Sequence, residues 1–458
     1  MKLQSINPHD QSVVGEVDVI TPSQIKLAVA KAKEVFKTWK FVPISERTEY
    51  IKKYRQKLVE HKEEIARLIT LEMGKPLHQS MNEVSGELDF VDYYVTEGVK
   101  SLSDETVFQN DKENFRVVYE PYGVCAVIAP WNFPLSMFNS GVLPALIAGN
   151  TVTFKPSECT ILSQKLMGEL LLETGIPDGV FNLMLGGKDV GATLMDQDID
   201  LVWFTGSTKV GEEIYQKCGK KFIKSICELG GSSSGIVFAD ADLDLTMENL
   251  YWARFLNSGQ VCSAVKRLFV ERPIFDQVVQ KFKDRLSKIK IGNPMEKIDC
   301  GPLVMTTQLE KIETLVTDAV SKGAKIEIGG KRPSNQALVK GNYYEPTILT
   351  DITSDMKLMQ EESFGPILPI MSFENEDEVI EMANNTEYGL SSEIYTTDLV
   401  KAERVAKRLE SGVVAINTDN YYKPQCPIGG YKKSGIGREY GRVGMQEFAQ
   451  IKLVAINK

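Results

Sequence analysis

The chain has 458 residues, of which 43% are hydrophobic and 25% are charged, and its formal net charge is −9. These values are typical of a globular protein of two or three domains, and the acidity argues against nucleic-acid binding, because phosphate contacts need a basic face. A start that lacks a cationic-then-apolar pattern, and the absence of a membrane-length apolar run, predict a cytoplasmic protein without a membrane partner.

Seven cysteines are scattered along the chain without a Cys-x-x-Cys spacing. The number is odd, so neither a disulfide framework nor a zinc site is indicated, and no metal is expected.

Two helices are predicted near the N-terminus. An apolar stripe at helical spacing predicts a helix over 23–38 with Ser23 as its cap. A second stripe predicts one long helix over 45–73, which Gly74 and Pro76 bring to an end.

From residue 115 onward, strand and helix patterns alternate. Strands are predicted over 115–121, 124–129, 151–154, 180–185, 201–204, 222–227, 266–270, 413–416 and 451–456. Helices are predicted over 143–148, 161–174, 190–195, 208–217, 245–256, 274–289, 306–322 and 377–384. This alternation is typical of an α/β protein whose parallel sheet is covered on both faces.

The segment Phe204-Thr205-Gly206-Ser207-Thr208 joins a predicted strand to a predicted helix. A helix start offers free N–H groups and positive partial charge, which suit a pyrophosphate, and Gly206 and Gly211 would let the backbone approach it closely. The pattern departs from the G-x-G-x-x-G fingerprint, and a tight turn also favours glycine. By itself the motif therefore leaves cofactor binding and a simple turn equally open.

Lys155-Pro156-Ser157-Glu158 stands at the end of a predicted strand, where parallel sheets bind ligands. Lys155 can contact ribose or phosphate oxygens, and Glu158 can hold two ribose hydroxyls and repel a 2′-phosphate. The alternative is that Pro156 interrupts the strand and Ser157 caps the next helix. The residues alone slightly favour that alternative.

A loop between Pro130 and Pro134 holds Asn132. A fixed amide of this kind can stabilise a developing oxyanion, and one such donor is worth roughly 3 kcal/mol. Asparagine is also a common turn residue, so this loop alone does not establish an oxyanion hole.

Cys262 and Glu228 form the candidate chemical pair. All three histidines lie in the first fifth of the chain, so a carboxylate is the more economical base for a nucleophilic thiol. Glu228 precedes two glycines and has room to move, and partial burial would raise its pKa toward neutrality, as a general base needs. Most buried cysteines are inert, and the residues alone do not rank Cys262 above Cys227 or Cys300.

In their order along nearly the whole chain, these motifs resemble the aldehyde dehydrogenase superfamily. The matching segments are Pro130-Trp131-Asn132-Phe133-Pro134, Lys155-Pro156-Ser157-Glu158, Phe204-Thr205-Gly206-Ser207-Thr208, Glu228-Leu229-Gly230-Gly231, Gly259-Gln260-Val261-Cys262, Glu361-Glu362-Ser363-Phe364-Gly365-Pro366 and Gly429-Gly430-Tyr431-Lys432-Lys433-Ser434-Gly435. The resemblance implies an α/β aldehyde-dehydrogenase-like fold in three parts. These are a Rossmann-type NAD(P)-binding domain (1–109 and 123–229), an α/β catalytic domain (230–413) and a β bridging element for oligomerisation with the C-terminal segment (110–122 and 414–458).

The same resemblance implies the chemistry. Cys262 would attack an aldehyde, the Asn132 side chain and the Cys262 N–H would form the oxyanion hole, and Glu228 would activate water to release a carboxylic acid from a thioester. The expected cofactor is NAD, with NADP possible. The residues implied to contact it are Trp131, Lys155, Ser157, Glu158, Gly206, Ser207, Gly211, Leu229, Glu362 and Phe364.

Several points stay open. Ser232-Ser233-Ser234 replaces the Lys or Asn that often follows the Glu228 motif, and Leu256 stands where one succinate-semialdehyde branch carries Arg, so a shorter semialdehyde-oxidising branch is an alternative. Lys423 or Arg254 could meet an acidic substrate, although a surface position is the simpler interpretation of each. A CoA-acylating dehydrogenase and a silent structural protein are the rival functions. The expected partners are a small aldehyde and further copies of the chain, as a homodimer or homotetramer.

Overall fold

A computed structural model describes all 458 residues. The helices are α1 (Pro22–Trp39), α2 (Ile44–Glu60), α3 (Lys62–Met73), α4 (Leu77–Thr96), α5 (Pro134–Ala148), α6 (Ile161–Leu172), α7 (Lys188–Met195), α8 (Thr208–Lys221), α9 (Leu243–Phe255), α10 (Phe275–Leu286), α11 (Thr306–Ser321), α12 (Lys357–Gln360), α13 (Glu376–Asn384), α14 (Leu399–Ala406) and α15 (Gly441–Glu447). The strands are β1 (Lys2–Ile6), β2 (Val13–Asp18), β3 (Glu105–Gln109), β4 (Glu113–Pro121), β5 (Val124–Ile128), β6 (Thr151–Lys155), β7 (Phe181–Leu183), β8 (Leu201–Thr205), β9 (Lys224–Glu228), β10 (Ser233–Val237), β11 (Val265–Glu271), β12 (Lys325–Ile328), β13 (Thr347–Thr350), β14 (Ile367–Phe373), β15 (Tyr388–Gly389), β16 (Ser391–Tyr395), β17 (Val413–Ile416), β18 (Tyr431–Lys432), β19 (Gly435–Ile436) and β20 (Ala449–Asn457).

The first large sheet has the strand order β19-β9-β8-β5-β6-β7. The five strands from β9 to β7 are parallel, and the short β19 pairs antiparallel with β9. Strands such as β5 are buried on both faces, because α2 to α6 cover one face and α1, α7 and α8 cover the other. This is the dinucleotide-type sheet that the alternating pattern predicts.

The second large sheet has the order β12-β13-β14-β11-β10-β16-β17 and is parallel except for the edge strand β12. Separate apolar cores lie on its two faces. The hydroxyls of Ser233 and Ser234 in β10 pair with those of Ser391 and Ser392 in β16 at 2.8 and 2.9 Å. The unusual serine run therefore serves the packing between these two strands.

The third sheet joins distant parts of the chain. β20 pairs antiparallel with β4 from Ala449↔Pro121 to Asn457↔Glu113, and β3 pairs with the other side of β4. β4 is the central strand of this sheet. The free edges belong to β20 and β3, and β20 exposes Ile451 and Leu453.

Three local predictions differ from the structure near the N-terminus. Thr21 rather than Ser23 caps α1, since its side chain and that of Gln24 form a reciprocal capping box. The predicted single helix over 45–73 is two helices, because His61 leaves helical geometry with φ −102° and ψ 13°. Helix α4 was not predicted at all.

Two further features complete the fold. The predicted strand over 222–227 begins at Lys224, because Phe222 adopts the left-handed conformation (φ 58°) that ends α8. No helix combines the length and apolar character needed to cross a bilayer.

Candidate active site

The predicted motifs meet at one edge of the first sheet. Strands β5, β6 and β8 are parallel, and the segments after them carry Asn132, Glu158 and Ser207. Two adjoining cavities lie at this edge. We call them the thiol cavity, of about 440 Å³, which contains Cys262, and the lysine cavity, of about 610 Å³, which contains Lys155. The residues that line both are Pro130, Trp131, Thr205, Gly206, Ser207 and Met305.

Most of the predicted site residues line these cavities. Those of the thiol cavity are Trp131, Asn132, Gly206, Ser207, Leu229, Cys262, Glu362 and Phe364. Those of the lysine cavity are Trp131, Lys155, Ser157, Glu158, Gly206 and Ser207. Gly211 and Glu228 line neither cavity.

The lysine cavity has the charges that a ribose and phosphates require. Lys155 Nζ donates to Glu158 Oε2 at 3.1 Å, and Lys188 and Lys217 also line the wall. Burial is the largest single influence and acts to raise the pKa of Glu158, but the Lys155 ammonium, a backbone hydrogen bond and Lys188 together lower that pKa. Ser157 accepts a hydrogen bond from the Cys159 N–H at 3.3 Å, so it caps the following turn as well as lining the cavity.

The turn into α8 fits both interpretations of the Gly206 motif, a tight turn between strand and helix and a wall of a candidate cofactor site. Ser207 is the N-cap of α8 and accepts a hydrogen bond from the Val210 N–H at 3.5 Å, while Gly206 lines both cavities. A Cβ on Gly211 would lie 2.3 Å from a Leu229 methyl group. Gly211 therefore permits the packing of Leu229 onto α8.

The loop before Cys262 is held in an uncommon backbone conformation. Asn257, Ser258 and Gly259 have φ values of 52°, 55° and 76°. A left-handed non-glycine residue costs on the order of 1 kcal/mol or more, so surrounding contacts must hold it. The Asn257 N–H donates to Gln79 Oε1 at 2.9 Å, and a Cβ on Gly259 would lie 2.4 Å from the Gly365 carbonyl oxygen.

The same loop is tied to the Asn132 loop. Asn257 Nδ2 donates to the Asn132 carbonyl at 2.9 Å, and Asn132 Nδ2 donates to the Gln260 carbonyl at 3.2 Å. An amide nitrogen carries two N–H groups, so one N–H of Asn132 remains for a ligand in the thiol cavity. The structure thus brings together the amide and the thiol that the sequence could only place in separate segments.

Burial dominates the electrostatics of Cys262 and raises its pKa to about 11. The Lys266 ammonium opposes this shift, whereas the carboxylates of Glu362, Glu439 and Glu228 add to it. The resting thiol is therefore protonated at neutral pH, and its nucleophilic form requires a base or a local cation.

Glu228 ends β9 and is buried among acidic neighbours. Burial and the Glu439 carboxylate raise its pKa well above the usual value, and the Arg438 guanidinium opposes them. Its Oε1 has no hydrogen-bond partner and lies against Gly429, where a Cβ would approach it to 2.7 Å. Burial also raises the pKa of Glu439, to about 7, although the Thr205 hydroxyl donates to it at 3.1 Å.

The wall of the thiol cavity has two parts of different character, which the family resemblance would assign to a cofactor side and a substrate side. The Trp131 and Phe364 rings meet edge-to-face at 5.4 Å, and Gln308 Nε2 donates to the Phe364 carbonyl at 2.7 Å. The remaining wall is mostly apolar and aromatic, with one carboxylate. Its residues are Glu87, Phe90, Phe133, Ser136, Met137, Leu256, Val261, Tyr422 and Tyr440.

Four nearby residues do not line the thiol cavity, namely Leu135, Ser263, Arg254 and Lys423. Leu135 is fully buried and faces the core. Ser263 contacts the wall through its hydroxyl, which lies 2.9 Å from the Tyr422 hydroxyl. Arg254 is fully buried and donates to the backbone carbonyls of Ile367 and Gly365, so it is neither a surface residue nor a substrate ligand. Lys423 is exposed.

Sequence reasoning missed three polar residues near the thiol. Lys266 and Gln79 contact the Cys262 loop, and Glu87 lines the thiol cavity. The available signal for Lys266 was a pair of adjacent cations, Lys266 and Arg267, directly before the apolar run Leu268-Phe269-Val270.

A sheet edge with charged groups for a dinucleotide, beside a cavity that holds a buried thiol and an amide donor, defines a dinucleotide-dependent oxidoreductase that acts on a carbonyl carbon. The chain belongs to the aldehyde dehydrogenase family, whose sequence model matches residues 1–454. It is therefore an enzyme that oxidises an aldehyde to a carboxylic acid with NAD or NADP, and the predicted fold is confirmed.

Relatives in this family have several substrates. The chain is 39% identical to a betaine aldehyde dehydrogenase of Bacillus subtilis (strain 168), with 99% of this chain and 93% of that protein covered. It is 37% identical to a mitochondrial succinate-semialdehyde dehydrogenase of Arabidopsis thaliana, with 98% and 85% covered. The predicted similarity to succinate-semialdehyde dehydrogenases is thus confirmed.

Solved structures share the whole fold. A betaine aldehyde dehydrogenase from Staphylococcus aureus in complex with NAD+ superposes with a TM-score of 0.96 at 35% identity, and 100% of this chain and 92% of that chain are covered. An NADP-dependent enzyme of E. coli gives a TM-score of 0.96 at 34% identity, with 100% and 95% covered.

Proposed function

We propose that Cys262 is the nucleophile of this aldehyde dehydrogenase. Its sulfur loses a proton to Glu228 and adds to the carbonyl carbon, and the carbonyl oxygen takes up the displaced electron pair. The free N–H of Asn132 and the Cys262 backbone N–H then donate to that oxygen. The observation that carries this proposal is that Asn132 and Cys262 line one cavity and are joined through Asn257.

A nicotinamide cofactor, when bound, accepts the hydride of the thiohemiacetal and so leaves a thioester on Cys262. Glu228 releases the thiol proton to solvent, and its proposed task is then to take a proton from water as the water oxygen attacks the thioester carbon. The carbon–sulfur bond breaks, the acid leaves, and the sulfur regains a proton. The raised pKa of Glu228, caused first by burial, supports this role. Its Oε1 has no hydrogen-bond partner, so the side chain can turn without losing a hydrogen bond at that atom.

These roles predict two different defects. Cys262→Ala should abolish the formation of reduced cofactor, whereas Glu228→Gln should form at most one equivalent of reduced cofactor per site, more slowly than the parent, and then stall as the thioester. Absorbance of the reduced cofactor after rapid mixing, with mass spectrometry of the intact protein, separates the two outcomes. A Cys262→Ala enzyme as fast as the parent would refute the nucleophile.

The same assay addresses the two rival functions. Production of the free acid without CoA excludes the CoA-acylating alternative, and any turnover excludes a silent structural protein. Glu228 supports hydrolysis over acyl transfer to a thiol, since a buried carboxylate beside the cavity is suited to activating water.

We infer that NAD is the preferred cofactor and that NADP is also accepted. Glu158 stands where a ribose would lie and would repel a 2′-phosphate, while Lys188 on the same wall offers it a cation. The solved relatives include both an NAD+ complex and an NADP-dependent enzyme. The kcat/KM values for the two cofactors decide the preference, and a higher value for NADP would contradict it.

We also propose the domain boundaries and assembly stated from the sequence. The NAD(P)-binding domain would comprise 1–109 and 123–229, the catalytic domain 230–413, and the bridging element 110–122 with 414–458. The exposed apolar edge of β20 supports a homodimer or homotetramer, and the proposed location is the cytoplasm. Light scattering at micromolar concentration tests this, and a monomer would contradict it.

A further inference from the structure

Lys266 is a fully buried cation inside a strand. Every residue of β11 except the last is buried, and Lys266 is 0% exposed. An ammonium group in a protein interior costs several kcal/mol unless its charge and its donors are satisfied. The contacts that compensate this cost therefore indicate what the residue is for.

All three donors of the Lys266 ammonium are used. Its Nζ donates to the Gly231 carbonyl at 2.7 Å, to the Cys262 carbonyl at 2.7 Å and to Glu362 Oε1 at 2.6 Å. The Gly231 N–H donates to the same Glu362 oxygen at 3.0 Å, which closes a ring of contacts. One side chain thus joins the turn after Glu228, the nucleophile loop and the carboxylate beside the cofactor wall.

The neighbouring cation in β11 makes different contacts. Arg267 is also buried, but it donates to the backbone carbonyls of Ser232, Met382 and Ala383. None of these three residues lines the thiol cavity. The adjacent residue thus has a packing role, whereas every partner of Lys266 belongs to the active site or borders it.

The charge of Lys266 bears directly on the thiol. Burial raises the pKa of Cys262, and among the groups around the sulfur the Lys266 ammonium opposes this while the Glu362 carboxylate reinforces it. Lys266 therefore acts to lower the pKa of the Cys262 thiol and Glu362 acts to raise it, although the two side chains form an ion pair with each other.

We propose that Lys266 is the positioning residue of this active site: its ammonium fixes the Cys262 loop and the Glu362 carboxylate relative to each other and supplies the positive potential that stabilises the thiolate. The proposal rests on the proposed roles of Cys262 as nucleophile and Glu362 as cofactor ligand. It deepens them by assigning a residue through which both are held.

Alkylation of the resting enzyme by iodoacetamide, followed by peptide mass spectrometry across a range of pH, measures the reactivity of Cys262 without turnover. In Lys266→Met we expect alkylation near neutral pH to slow by about tenfold, the change in thiolate population when one adjacent charge is removed. In Glu362→Gln we expect faster alkylation than in the parent. A purely structural role would not give opposite signs.

Three controls make the measurement specific. Cys426 is exposed and serves as an internal reference whose alkylation rate should stay constant. Lys26→Met removes an exposed lysine of α1 that lines neither cavity, and it should leave the Cys262 profile unchanged. The double variant Lys266→Met with Glu362→Gln removes both buried charges. If Lys266→Met alone does not fold, the effect of losing Lys266 is measured by comparing the Cys262 alkylation rate of this double variant with that of Glu362→Gln.

The cofactor provides the second readout. Lys266→Met should raise the KM for NAD several-fold, because Glu362 loses the ammonium that orients it. Parent-like alkylation and KM in Lys266→Met, or no slowing in the double variant relative to Glu362→Gln, would overturn the role of Lys266. If instead Cys262→Ala retains activity, the proposed nucleophile itself fails, so the two failures are distinguishable.

Discussion

The Glu83→Gln substitution tests how far the Asn132 loop depends on helix α4. The Glu83 carboxylate pairs with the Lys75 ammonium where the side chains are 3% and 1% exposed. Its other oxygen accepts hydrogen bonds from the N–H groups of Leu135 at 3.0 Å and Ser136 at 3.4 Å. These groups open α5 directly after the Asn132 loop, so the carboxylate fixes the position at which that loop ends.

Glutamine keeps the shape of the side chain but leaves the Lys75 charge without its counter-ion. Breaking a buried ion pair by removing one partner costs about 3–5 kcal/mol. At about 2–4 °C per kcal/mol for a domain of some 200 residues, the thermal midpoint should fall by roughly 10 °C. Adding Lys75→Met removes both charges and should restore most of the loss, because neutral replacements of buried pairs are often well tolerated.

Thermal unfolding by circular dichroism and kcat should be measured for the parent, both single variants and the double variant. We expect kcat to fall in Glu83→Gln together with stability, because the oxyanion donor precedes α5. If the double variant is as unstable as Glu83→Gln, the loss does not come from an uncompensated charge and the reasoning is refuted.

Three further outcomes are expected. Glu87→Gln should lower the KM for carboxylated aldehydes relative to cationic ones, because it removes the carboxylate from the substrate-side wall; unchanged ratios across an aldehyde panel would contradict this. Burial raises the pKa of Glu87 to about 7, so its stabilising contribution is full below the unfolded value and is lost as the pH rises through 7; the unfolding midpoint of Glu87→Gln should lack this dependence. Gly429→Ala should displace the Glu228 carboxylate, lower kcat and produce a burst of reduced cofactor, and a linear time course would argue against it. Leu453→Asp should shift the assembly toward smaller species in light scattering, whereas an unchanged mass would exclude the β20 edge as an interface.

The five parallel strands of the first sheet were predictable because turn residues flank short segments that are mostly apolar. In the second sheet only β11 and β17 were predicted, and β10 and β16 were missed because each begins with two serines, which leaves too short an apolar run. Helix α4 was missed for a physical reason. Its residues Gln79 and Glu87 are buried because Gln79 binds the loop before Cys262 and Glu87 binds α5, so the apolar stripe that marks a helix is interrupted. The break at His61 was missed because the apolar stripe continues across it.

The residues of the candidate site also divide into those that the sequence could indicate and those that only the folded chain reveals. Cys262 and Asn132 lie in segments with distinctive spacing, so resemblance could select them. The role of Lys266 depends on its contact with Glu362, which lies 96 positions further along the chain. Only the folded chain brings Lys266 Nζ within 2.6 Å of Glu362 Oε1. Contacts of this kind leave no local periodicity in the sequence.

The short strand β19 holds Gly435 opposite Glu228, and α15 connects it within a few residues to β20 at the exposed edge of the third sheet. A rigid covalent path therefore runs from the surface where subunits would meet to the carboxylate that would release the product. A change in the contacts at that surface would therefore shift the Glu228 carboxylate, so the turnover rate should depend on protein concentration. Rate constants from dilute, dissociated subunits would then describe a different catalyst from the assembled one.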